Sequence, residues 1–147
     1  MNYDFDKSIG KLTQQVSKNI GKILEIKFKE NGYDLKALEW SILSMLYKYG
    51  KRTQRDISIF MALDKVKIKR LIDRLEKENL VKREESKTDK RFNNIQITDK
   101  GKRTYKKVVV YVKEVIETAT VGISNKDVEN CLNILEQIKE NLVSEIQ

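Results

Sequence analysis

Between Asp64 and Glu78 the residue types and their spacing suit contact with nucleic acid. Ile68, Leu71, Ile72 and Leu75 fall at i, i+3, i+4 and i+7, the apolar stripe of an amphipathic helix. Lys65, Lys67, Lys69, Arg70 and Arg74 lie off that stripe, most of them in its first two turns. A helix with cationic opening turns and an apolar back fits the major groove, where lysine and arginine donate to guanine O6 and N7 or to phosphate. Asp64 is placed to cap it and Asn79 to stop it. Two short strands, Leu80 to Glu84 and Asn94 to Ile97, then pair as a hairpin. The loop between them carries Lys87, Asp89, Lys90 and Arg91, a second cationic projection. The expected DNA-contacting units are thus a recognition helix over 64–78 and a wing over 85–94. Thr53 and Gln54, opening a short helix upstream, can offer an amide and side chains to a phosphate.

The same composition argues against catalysis. The 147 residues include no histidine and one cysteine, so a zinc site, a Ser-His or Cys-His pair and an intrachain disulfide are all unavailable. No cofactor or metal is expected, and enzyme is an unfavoured class. The net charge of +8 is unevenly spread: residues 48–113 hold 21 basic and 9 acidic side chains, whereas residues 114–147 hold 2 basic and 7 acidic. The middle of the chain would attract phosphate and the tail would be repelled by it. No apolar run reaches membrane-spanning length and the N-terminus lacks the hydrophobic centre of a signal peptide, so a cytoplasmic protein without a membrane partner is expected.

With no proline and six glycines, the pattern is one of long helices. A first helix runs from Phe5 to about Glu30, stopped at Asn31-Gly32. A second, capped by Asp34, carries Leu35, Leu38, Ile42, Met45 and Leu46 to Gly50. Thr53 with Asp56 forms a capping box for a third, Gln54 to about Phe60. Thr98 caps a fifth through Val108 and Val115, whose VVVYV run is read as helix despite its β-branching. Ser124 with Asp127 starts a sixth, with Cys131 inside its apolar stripe and read as a small buried hydrophobe. The fold class is mainly α with a small β-wing, a winged helix-turn-helix with N- and C-terminal dimerisation helices. Its expected division is 1–32 and 104–147 for dimerisation and 33–103 for DNA binding. The end helices carry more apolar surface than the small centre can cover. A symmetric homodimer is therefore expected, with its recognition helices one DNA turn apart, roughly 34–36 Å.

Read together, these segments resemble the MarR family of bacterial transcription regulators. Leu35 to Leu46, LKALEWSILSML, is similar to the family's second helix with its tryptophan, here Trp40. Thr53-Gln54 with Ile57-Ser58 resembles the start of the third helix, and Ile68 to Glu76 the recognition-helix core. Asp89-Lys90-Arg91 resembles the Asp-x-Arg wing motif, and Ile97-Thr98-Asp99-Lys100-Gly101 the segment after it. Lys69 departs from the family's serine or threonine. An ammonium only donates, so a different operator is implied. Asn79 replaces a glycine and Lys36 a threonine cap. The resemblance implies a homodimeric repressor binding double-stranded DNA at a pseudo-palindromic operator, with Arg91 in a minor groove and Asp89 holding it. It also implies room for a small-molecule effector, phenolic or anionic, near Tyr33, Trp40, Tyr47 or Tyr105. Two other classes fit the residues alone: a sequence-indifferent, nucleoid-like DNA-binding protein, and a winged-helix protein-interaction module.

Overall fold

The structure is a computed structural model that describes residues 1–85, 87–89 and 93–146. A single 3-10 turn, Phe5–Lys7, precedes α1 (Ile9–Glu30), so the first helix begins later than the apolar pattern implies. Ser8 is the reason: its hydroxyl accepts the Lys11 amide and sets the helix start there. Asn31 and Gly32 end α1, Gly32 with φ +85°. Helix α2 (Ala37–Tyr49) starts without the expected Asp34 cap. Carboxylates from two helices serve instead: Glu39 accepts the Lys36 amide at 2.9 Å and Glu25 of α1 accepts the Ala37 amide at 3.0 Å. Asp34 is thereby left for another partner.

After Gly50 comes a two-residue strand absent from the sequence reading, β1 (Arg52–Thr53), which pairs antiparallel with β3. Thr53 still forms the expected capping box with Asp56, opening α3 (Gln54–Met61). Ala62 adopts a left-handed conformation, φ 52°, and turns the chain into α4 (Lys65–Lys77), capped by Asp64 as anticipated. Asn79, φ 59°, makes the reversal into β2 (Val81–Glu85). That strand lies antiparallel to β3 (Asn93–Ile97), with Arg83 opposite Ile95, giving the sheet order β1-β3-β2. Then follow α5 (Asp99–Ala119) and α6 (Asn125–Ile146). The β-branched run 108–112 is helical, as the cap at Thr98 implied.

The core gathers one face each from α1 to α5 and from β2 and β3. Ile42, Leu43 and Leu46 of α2 sit at its centre, against Phe28, Ile57, Ile68, Ile72, Ile95 and Val108. Helix α6 buries no residue, although its spacing is amphipathic. Leu132, Leu135 and Leu142 stay in water, and so do Ile9, Leu12, Val16 and Ile23 of α1. Cys131, expected to be buried, is exposed because the helix that carries it packs on no core in the single chain. No helix among the described residues is long and apolar enough to cross a membrane.

The join between hairpin and α5 is closely packed. The Thr98 hydroxyl donates to the Asn79 carbonyl at 2.6 Å and accepts the Gly101 amide at 3.0 Å. A Cβ on Gly101 would lie 2.2 Å from the Leu80 carbonyl oxygen and 2.7 Å from Ile97 Cγ1. The glycine after Thr98 is therefore a packing requirement. Gly101→Ala should lower the stability of the fold by about 1–3 kcal/mol in urea titration, outweighing the helix-propensity gain of roughly 1 kcal/mol. An unchanged midpoint would show that β2 can move away.

Candidate nucleic-acid interface

Helix α4 is held by its apolar row. Ile68 and Ile72 are fully buried and Leu75 nearly so, while Lys65, Lys67, Lys69 and Arg70 are exposed on the other side. Burying three such side chains is worth roughly 1.5–3 kcal/mol each, enough to fix which face looks outward. Among the described residues Lys65, Lys67 and Arg70 make no ion pair, which leaves their charge available to an anion. Lys69 is tied instead to Asp73, one turn along, at 3.0 Å. Thr53 spends its hydroxyl on the Asp56 amide at 3.0 Å, and Gln54 is half-buried beside it.

Arg74 is placed differently from the other cations. Its Nε lies 2.8 Å from Glu39 Oε1 and its guanidinium 3.5 Å from Asp34, so it faces α2 rather than the open side of α4. Grouped with the DNA-facing cations by its place off the apolar stripe, Arg74 is instead engaged by carboxylates at the start of α2. In the wing loop, Lys87 is exposed and Asp89 half-buried. Lys90 and Arg91 lie outside the described residues.

One residue that the sequence reading missed connects wing and helix. Arg83 of β2 reaches Asp73 at 2.6 Å and Glu76 at 2.9 Å, and its amide donates to Glu76 at 3.2 Å. The pairing spans a helix stop and a reversal, so no periodicity could have displayed it. The two carboxylates of α4 therefore turn toward the sheet and leave the outward face positive. Lys69 beside it holds the Asp73 carboxyl below its ordinary value of 3.8, with partial burial opposing and Arg83 assisting.

Behind the helix, three of the four aromatic residues considered for an effector site form one column. Trp40 stacks on Tyr105 at 4.9 Å and Tyr105 on Tyr47 at 3.9 Å. Tyr33 pairs elsewhere, with Tyr111. Trp40 also lines an open, mostly apolar groove of about 900 Å³ with Leu12, Val16, Leu24, Leu38 and Leu132. Among the described residues no cluster of histidine, cysteine or carboxylates could hold a metal ion.

Comparison with known proteins agrees with this arrangement. The model of the MarR family matches residues 35–92, from the start of α2 into the wing. The chain is similar to the HTH-type transcriptional regulator MhqR of Bacillus subtilis (strain 168), with 29% identity over 110 residues, 74% of this chain and 75% of that one. Its fold is similar to that of a MarR transcriptional regulator from Methanosarcina mazei Go1, with TM-score 0.84, 23% identity, and coverage of 92% and 96% of the two chains. It is also similar to a mutant MarR of E. coli solved with operator DNA, with TM-score 0.79, 18% identity, and coverage of 92% and 99%.

The ion pairs at Asp73 have a definite pH signature. A depressed folded-state pKa contributes stability above the ordinary carboxylate value and loses it as pH falls through the lowered one. The Asp73 side chain is 44% exposed, so Asp73→Asn should cost only about 0.5–1 kcal/mol at pH 7. Urea titrations at pH 7 and pH 3 should show that deficit shrinking in acid; a deficit independent of pH would contradict the assignment.

Proposed function

We propose that this chain, a MarR-family transcriptional regulator by the domain at residues 35–92, acts as a homodimeric repressor that binds a pseudo-palindromic operator. The observation that carries the reading is the outward row of Lys65, Lys67 and Arg70, without ion pairs among the described residues and standing above a buried apolar row. Arg70 has the geometry to engage guanine with two donors, whereas the lysines serve equally for phosphate. Thr53 and Gln54 approach the backbone at the start of α3. Asp89 orients Arg91 into the minor groove, as the family resemblance implies, and the charge of Lys87 and Lys90 suits flanking phosphates.

The homodimer is supported by the apolar faces of α1 and α6, each of which leaves several leucines, isoleucines or valines in water. In this reading residues 1–32 and 104–147 join the copies and residues 33–103 meet the DNA. Cys131 then lies in the covered surface and behaves as a small apolar side chain. A phenolic or anionic effector near the Trp40–Tyr105–Tyr47 column would release DNA only by binding the DNA-competent state less well than another.

The direct test is competition between a duplex from upstream of the chain's own gene and scrambled DNA, at one salt concentration because phosphate contacts make affinity steeply salt-dependent. A regulator prefers the first by orders of magnitude. Equal affinity would favour the nucleoid-like alternative, and no binding at low salt the protein-interaction module. Arg91→Ala should weaken binding to the preferred duplex at least tenfold while sedimentation still gives two chains per particle. An unchanged titration would remove Arg91 from the interface.

A further inference from the structure

Glu39 is the one buried charged side chain among the described residues, 2% exposed. Its Oε2 closes the start of α2, and its Oε1 has no hydrogen-bond donor in line with it. The Arg74 guanidinium 2.8 Å away compensates its charge as an ion pair. Were Arg74 to swing out to a phosphate, it would strand a carboxylate inside the core. Glu39 is the buried partner, with Arg74 45% exposed at the rim, and removing the countercharge of a buried carboxylate is strongly unfavourable. Arg74 also stands nine residues beyond Lys65, roughly 13 Å along the helix axis from the opening turns.

The pair belongs to a polar chain that crosses three helices. Glu25 of α1 accepts the Ala37 amide at 3.0 Å, Glu39 accepts the neighbouring Lys36 amide at 2.9 Å, and Glu39 then meets Arg74 of α4. Asp34, just before α2, lies 3.5 Å from the same guanidinium. The end helix that carries the uncovered apolar face is thereby fastened to the start of α2, and the start of α2 to the recognition helix.

We propose that Glu39 and Arg74 are positioning residues. They fix the tilt of α4 against α2 and α1, set the distance between the two recognition helices of the dimer, and keep Arg74 off the DNA. The proposal rests on the operator-binding reading above. It makes half-site spacing, rather than base identity, the property these two residues control.

Glu39→Gln keeps the volume and the acceptor for the Lys36 amide while removing the charge that holds Arg74. The double variant Glu39→Gln with Arg74→Gln leaves no stranded charge and so tests the same joint in a chain that folds. The probe is the duplex that the wild-type chain selects from random DNA, with versions lengthened or shortened by one base pair between half-sites. Both variants should bind the selected duplex at least tenfold more weakly and discriminate among the three spacings less than wild type does. The double variant should keep the wild-type slope of log affinity against log salt.

Wild-type affinity and spacing preference in Glu39→Gln would overturn the proposal. So would a double-variant slope shallower by about 0.9 per copy, the mark of a lost phosphate contact. A wild-type chain that selects no duplex fails the regulator reading and the proposal together; the other two results fail the proposal alone.

Discussion

The inward row of α4 is the constraint from which the cationic face follows. Ile68, Ile72 and Leu75 are packed against Ile42, Leu43 and Ile57, and a helix anchored along one side has no freedom to turn. Its lysines therefore face outward by default, and the acidic residues of the same helix are drawn sideways by Arg83. Positive potential is concentrated on one surface partly by removing the negative charges from it. Asp64 reinforces the arrangement, since its carboxylate occupies the Lys67 amide and holds the helix start in place.

A second constraint acts at the other end of the molecule. Helix α6 is 22 residues long, amphipathic and unburied, and α1 exposes isoleucine, leucine and valine along most of its length. The Lys27–Glu114 ion pair and the packing of Val108 and Val115 fix α5 to the core, so the exposed faces are presented on a rigid frame. In the proposed dimer that frame carries the reading heads, and the Glu25–Glu39–Arg74 chain is its joint. Specificity would then have two separable sources: donors at the start of α4, and distance fixed at the start of α2.

What could be read from the residues alone was whatever depends on local spacing. The stripe of α4, the caps at Asp64, Thr53, Thr98 and Ser124, and the positive φ at Asn79 are properties of a few neighbouring residues, and each is found in the fold. The misplacements have a common cause. Asp34 precedes an apolar run and so has the local signature of a cap, but Glu25, twelve residues before Ala37, takes part of that work and frees Asp34 for Arg74. Arg83 met Glu76 across a chain reversal, and β1 exists only because β3 offers it an edge. Cys131 lies in an apolar stripe that has no partner surface within one chain, and so is exposed. Long-range pairing decided each of these, and periodicity carries no record of it.

In the proposed complex α4 of two copies enters the major groove at fixed separation. Methylation protection of guanine N7 on a bound duplex tests it most directly, because N7 lies on the major-groove edge. Two protected patches are expected, centred about one helical turn apart, roughly 10–10.5 base pairs. Protection spread evenly along the duplex, or none at N7 under saturating protein, would contradict it.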